Sequence, residues 1–193
     1  MKIVLATSNP HKLQEIKDIA KDINFEFELV GEGFNPEETG STFRENSYIK
    51  AYEAAKMTGE IALADDSGLC INALGGAPGI FSSRYAPTPK DRIEKVLLNL
   101  DGEPDRSAFF ECNMTLVNPE GKVLFSSTGR IDGIIAKEPC GENGFGYDPI
   151  FFVPSLNKTM AQMSEEEKNS LSHRAKALMP MIEYISQNLL KQS

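Results

Sequence analysis

The sequence predicts an α/β fold with a mixed β-sheet, and three observations carry that prediction. Short apolar runs alternate with amphipathic helical segments through the first half of the chain. Two apolar runs joined by Asn118-Pro119-Glu120-Gly121 form a hairpin in the middle. A helical segment closes the chain. Alternating strands and helices build parallel neighbours, whereas a hairpin builds an antiparallel pair, so the sheet must contain both.

The elements follow in order. KIVLAT (2–7) is a buried strand. Asn9 then caps a helix, with Pro10 at its first position and Leu13, Ile16 and Ala20 on its apolar face. FEFELV (25–30) alternates as a half-buried strand does, and a Gly/Pro/Glu-rich loop follows it. Thr42 and Glu45 have the spacing of a capping box that opens a helix running to about Met57. In IALADDSGLCINAL (61–74), Asp, Ser and Gly are turn formers, so a strand, a polar turn and a second extended segment are expected. Thr88-Pro89 starts a helix with Ile93, Val96, Leu97 and Leu100 on one face, ended by DGEPDRS. Residues 107–117 and 122–128 are the hairpin strands, and IDGIIA (131–136) and PIFFV (149–153) are further strands. The C-terminal helix begins near 172, with Ser172 as its cap and Pro180 expected to kink or interrupt it.

Length and composition bound the function. A chain of 193 residues suffices for one domain, expected over 1–193, with no repeat or long linker to divide it. Cys70, Cys112 and Cys140 are odd in number and widely spaced, which excludes a disulfide framework and a Cys-x-x-Cys metal site. The apolar start is too short for a secretory signal or a membrane span, so a cytoplasmic location is expected. The formal charge of -8 excludes a broad basic surface for polymeric nucleic acid. A small anionic ligand would be held by a few local cations.

Candidate chemistry clusters in a few segments. In TSNPHK, Thr7, Ser8, Asn9, Pro10, His11 and Lys12 place hydroxyls, backbone N–H groups and an ammonium at a helix N-terminus, an arrangement that suits phosphate. The spacing matches neither a P-loop nor a dinucleotide fingerprint. Asn46 and Lys50 are four apart and share a helix face with Glu53, which reads as a solvated face unless it lines a cleft. Glu37, Glu38, Asp65 and Asp66 offer hard oxygen ligands from two loops, which suits Mg²⁺ with one or two carboxylates and phosphate oxygens or reads simply as acidic surface loops. NGFGYDPIFF (143–152) joins Phe145, Gly146, Tyr147 and Asp148, which could stack a base and accept its N–H groups or could plug the core and form a turn. Lys168, His173 and Arg174 fall at the start of the C-terminal helix, where cations oppose the dipole and binding offers a reason for them. Two histidines in the whole chain leave no basis for a histidine-rich zinc site.

Taken together, ATSNPHK, EETGSTFRENSYIKA, ADDSGL with GGAPGIFSSRY, ENGFGYDPIFF and EEEKNSLSHRAKAL resemble the inosine/xanthosine triphosphate pyrophosphatases, from about residue 2 to 190. The resemblance implies a homodimer of α/β subunits, each with a long twisted mixed sheet, flanking helices and two lobes around a central cleft. It implies Mg²⁺-dependent cleavage of dITP, ITP and XTP to the monophosphate and pyrophosphate, a house-cleaning activity on the nucleotide pool. Position by position, Thr7 to Lys12 resembles the phosphate-binding turn, Lys50 the cleft lysine and Ser67 a substrate contact. Asp66 resembles the metal-binding general base, with Glu37 and Glu38 both open as the second carboxylate and Asp65 as a further candidate. Phe145 to Asp148 matches the base pocket, and Lys168, His173 and Arg174 match the C-terminal substrate set. Gln162 stands where the family often has a glutamate, keeping its shape without its charge.

On that resemblance, Asp66 orients or deprotonates a water for in-line attack at the α-phosphorus, while Lys12, Lys50 and Lys168 neutralise the phosphates. Preference for a 6-oxo purine then rests on donors from His173, Arg174 or the backbone, which adenine's amino group cannot accept.

Overall fold

A computed structural model describes residues 2–21, 23 and 25–190; residues 1, 22, 24 and 191–193 of the expected domain lie outside the described set. Seven strands form one sheet in the order β2-β1-β3-β4-β5-β6-β7. The strands are β1 (Lys2–Leu5), β2 (Glu26–Leu29), β3 (Ala62–Ile71), β4 (Ser107–Val117), β5 (Val123–Ile135), β6 (Phe151–Val153) and β7 (Lys158–Thr159). The helices are α1 (Pro10–Ile19), α2 (Phe43–Thr58), α3 (Pro89–Asn99), α4 (Glu165–Leu171) and α5 (His173–Asn188). β1 pairs in parallel with β2 and β3, while β6 is antiparallel to β5 and β7, so the sheet is mixed as predicted.

The chain separates into two compact units: residues 1–66, 112–129 and 173–193, and residues 67–111 and 130–172. In the first, Ile3, Leu5, Ile16, Leu63, Met114, Leu178 and Met181 form one apolar cluster. A second cluster there joins Val4, Ala6, Ala62 and Ala64 to Ala51, Ala54 and Ala55 of α2. Where α2 buries Ala51, Ala54 and Ala55 it presents only methyl groups, so this part of the helix can lie close to the strands it covers. In the other unit Leu69, Ile71, Val96, Leu100, Phe110, Ile150 and Phe151 form the core.

Local signals explain most boundaries. Asn9 accepts from the His11 and Lys12 N–H groups and starts α1. Thr42 and Glu45 complete the capping box of α2, a device worth about 1 kcal/mol. Thr88 and Asp91 do the same for α3.

Four expectations are corrected. Asp65-Asp66-Ser67-Gly68 is not a turn; it lies in mid-strand within β3. The acids can enter a strand because each pairs with a largely buried cation, as shown below. Residues 122–128 and 131–136 are not separate strands, because β5 runs through Gly129. A Cβ on Gly129 would stand 2.5 Å from the Ala177 nitrogen and closer still to the His173 carbonyl, so glycine here admits the α5 backbone rather than ending the strand. Lys168 lies in α4, separated from α5 by extended Ser172, which ends α4. Pro180 sits inside α5 and does not interrupt it, so of the two expected effects the interruption is corrected. No helix among the described residues is long and apolar enough to cross a membrane.

Candidate active site

The site in the first unit is built on β3. Consecutive strand residues project to opposite faces, so adjacent Asp65 and Asp66 point away from each other. That geometry permits two like charges side by side, and each meets its own cations.

On one face Asp65 is buried against the N-terminal ends of α1 and α5. Its Oδ2 is 2.9 Å from Lys12 Nζ and 3.3 Å from the Arg174 guanidinium, which also pairs with Glu15. Burial alone would raise the Asp65 pKa, but the charges of Lys12, Arg174 and Lys50 outweigh it and hold the carboxyl well below the usual range. Cys112 Sγ lies 4.0 Å away, and burial together with Asp65 pushes its thiol up to about 12. The three cysteines are free thiols, as expected.

On the other face Lys50 Nζ bridges Asp66 Oδ1 at 2.9 Å and Glu38 Oε1 at 2.7 Å. Burial lowers the Lys50 pKa, but Asp66, Asp65 and Glu38 more than restore it, and the ammonium is held above its ordinary value. Asp66 is raised, chiefly by burial, with Lys50 opposing. Its Oδ2 is buried and has no hydrogen-bond partner.

The four carboxylates Glu15, Glu38, Asp65 and Asp66 face three cations, Lys12, Lys50 and Arg174. Asp66 and Glu38 share Lys50, and the unsatisfied Asp66 oxygen belongs to that pair. A divalent cation fits these donors. Among the described residues no three acidic, histidine or cysteine side chains converge as a ready metal cage. An ion that takes one or two carboxylates and fills its other positions with water and phosphate oxygen needs no such cage.

The predicted phosphate turn is partly committed within the protein. Pro10 has no N–H, and Asn9 Oδ1 takes the His11 and Lys12 N–H groups at 3.0 and 3.3 Å. Thr7 Oγ1 accepts from the Asn9 N–H. Ser8 and His11 are surface positions at the helix mouth, with Lys12 the cation of the turn. His173 and Arg174 are both buried. Glu37 is exposed, whereas Glu38 reaches Lys50. Ser67 follows Asp66 on β3 and is partly exposed.

A second constellation belongs to the other unit. Asp148 Oδ2 accepts from the Phe145 N–H at 2.8 Å and from Lys168 Nζ at 2.7 Å. Lys168 Nζ lies 4.6 Å from the centre of the Phe145 ring. Gly144 and Gly146 have positive φ, and a Cβ on Gly144 would collide with the Asp148 carboxylate. Asp148 thus organises its own loop. Tyr147 is buried in the core and donates to the Ser82 carbonyl at 2.9 Å, so the core-filling alternative holds for this ring. Gln162 Oε1 accepts from the Thr159 N–H, a task its uncharged oxygen performs.

Sequence reasoning missed Glu15, although its place three residues after Lys12 puts it on the same side of α1. It also missed a buried polar network in which Ser47 Oγ meets Asn113 Oδ1 and Thr115 Oγ1, each at 2.7 Å, and Asn113 donates to Thr128. Polar residues alternating within the apolar run of β4 were the available signal. The face carrying Asn46, Lys50 and Glu53 is solvated only at Glu53; Asn46 is fully buried.

An α/β protein with a cation at a helix N-terminus, two adjacent carboxylates on the strand parallel to β1 and an unpartnered carboxylate oxygen belongs with proteins that handle phosphate with a divalent ion. Comparison gives the particular family. The Ham1 family model matches residues 3–184, and the chain belongs to that family. A relative named dITP/XTP pyrophosphatase from Desulforamulus reducens is 44% identical over 200 residues, covering 100% of this chain and 99% of its own. One of the same name from Coxiella burnetii is 50% identical, covering 92% and 93%. A solved HAM1 protein structure from Coxiella burnetii superposes with a TM-score of 0.89 at 46% identity, covering 97% of this chain and 99% of its own. The Staphylococcus aureus Ham1 protein gives 0.87 at 42% identity, covering 96% and 98%.

Proposed function

We propose that the protein hydrolyses non-canonical purine nucleoside triphosphates, dITP, ITP and XTP, to the monophosphate and pyrophosphate. The buried, partnerless Oδ2 of Asp66 beside Lys50 and Glu38 carries this reading, together with relatives named for that activity over nearly their full length. Asp66 and Glu38 would hold the ion, Mg²⁺, and Glu38 is preferred to Glu37 because it reaches Lys50 beside Asp66. When bound, the ion neutralises phosphate charge and lowers the pKa of coordinated water.

The chain's own groups do the rest. Asp66, whose Oδ2 has no partner within the protein, orients the attacking water and accepts its proton. Lys12 and Lys50 exchange part of their carboxylate contacts for phosphate oxygens, so positive charge meets the charge that develops during transfer. Thr7, Ser8, His11 and Ser67 supply further polar contacts. Phe145 offers a ring face to the purine, and Lys168, fixed by Asp148, offers an ammonium to a 6-oxo acceptor. His173 and Arg174 act through their positions at the α5 N-terminus. A homodimeric, cytoplasmic enzyme working as a single functional domain completes the proposal, supported by the resemblance of the motifs.

Product analysis by phosphorus NMR tests it. Purified protein with Mg²⁺ and dITP should yield dIMP and pyrophosphate, with dATP and dGTP largely intact. Orthophosphate as the first product would reject attack at the α-phosphorus.

A further inference from the structure

Glu38 comes from a loop, yet a metal carboxylate must be held within a fraction of an ångström. The structure shows what holds it. Gly40 N–H, two residues on, donates to Asn46 Oδ1 at 2.8 Å. The Ser41 and Thr42 N–H groups and the Ser41 hydroxyl all donate to Glu45 Oε2. The fit is close: a Cβ on Gly40 would stand 2.6 Å from Asn46 Oδ1 and 2.6 Å from Glu45 Cβ. Glu45 and its partners lie at the surface, where hydrogen bonds compete with water. Asn46 is fully buried, and its acceptor faces no such competition. Its Nδ2 is also buried and has no partner, so the amide is kept there for its oxygen. Asn46 and Lys50 lie one helical turn apart on α2. The segment is therefore fastened at two successive turns, by its backbone at Asn46 and by the Glu38 carboxylate at Lys50.

We infer that Asn46 is a positioning residue for the metal: its Oδ1, through Gly40, sets where Glu38 stands relative to Asp66. The inference rests on the pyrophosphatase reading. It assigns Asn46 no contact with substrate, and it predicts that altering the acceptor weakens metal binding before it affects nucleotide binding.

The test is Mn²⁺ binding to the full chain without nucleotide, followed by electron paramagnetic resonance, beside dITP turnover as a function of metal concentration. Asn46→Leu, which keeps bulk and removes the acceptor, should weaken Mn²⁺ by about tenfold and raise the metal concentration needed for half-activity equally. Asn46→Asp restores an acceptor at the same place and should stay within about threefold of wild type. Gly40→Ala, which keeps Asn46 in the chain but whose Cβ would push the loop away from its Oδ1, should resemble Asn46→Leu and serves if that variant does not fold. A merely structural role would lower stability while leaving the metal constant of the folded fraction unchanged. That result, or equal weakening in Asn46→Leu and Asn46→Asp, overturns the inference. Failure of the wild-type protein to bind Mn²⁺ and to hydrolyse dITP overturns the functional reading instead.

Discussion

Asp65 and Asp66 are the same residue type, adjacent on one strand, and the two faces of β3 make different groups of them. On the Asp65 face Lys12 and Arg174 surround the carboxylate and drive its pKa down. On the Asp66 face burial prevails over Lys50, the pKa rises, and one oxygen has no partner. A carboxylate whose charge is fully matched contributes to stability. One left short of a partner is available to a metal, a water and a proton.

The largest expected effect tests the second half of that contrast. Asp66→Asn should lower pyrophosphate release from dITP by about 10³-fold or more. Its urea midpoint should equal or exceed that of wild type, because the buried site disfavours the charge it loses. Asp65→Asn should reverse the pattern. Removing the carboxylate strands Lys12 and leaves Arg174 with Glu15, at a cost of about 3 kcal/mol in chemical denaturation. A variant pair that lost activity and stability equally would abolish the distinction between the faces.

The pH dependence of stability sharpens the comparison because the two signs are opposite. Asp65 lies below its unfolded value of about 3.9, so its contribution is present above that pH and is lost as pH falls through the folded value. Asp66 lies above its unfolded value, so its contribution is present below about 3.9 and is lost as pH rises through the folded value. In metal-free protein, urea midpoints between about pH 2 and 7 should show a weaker acid-side loss in Asp65→Asn and a weaker decline toward neutrality in Asp66→Asn. The smallest effect separates neighbouring loop acids. Glu37→Gln should change the metal requirement of turnover by no more than about twofold, as surface substitutions do. Glu38→Gln should raise that requirement by at least about tenfold.

Much of this was legible in residue order. Asn9-Pro10, Thr42 with Glu45, and Thr88-Pro89 announced three helix starts because capping is local chemistry, complete within four residues. The motif resemblance led to the family and marked Asp66, Lys12 and Lys50 as candidates, which the structure brings close to carboxylates or cations of the same cluster. The ADDSG segment was misread because turn propensity counts Asp, Ser and Gly in isolation. In β3 those acids are stabilised by Lys12, Lys50 and Arg174, the last of them 109 residues away along the chain.

The sequence by itself thus determined the α/β class, the helix starts and the inventory of acids and cations, all of which depend on composition and short spacing. Only the tertiary structure decided which cation meets which acid. It chose Glu38 over Glu37 beside Lys50, buried Asn46 under the loop and left Asp66 one unsatisfied oxygen. Charge pairing depends on distance and burial after folding, and neither can be read from the order of residues in a chain.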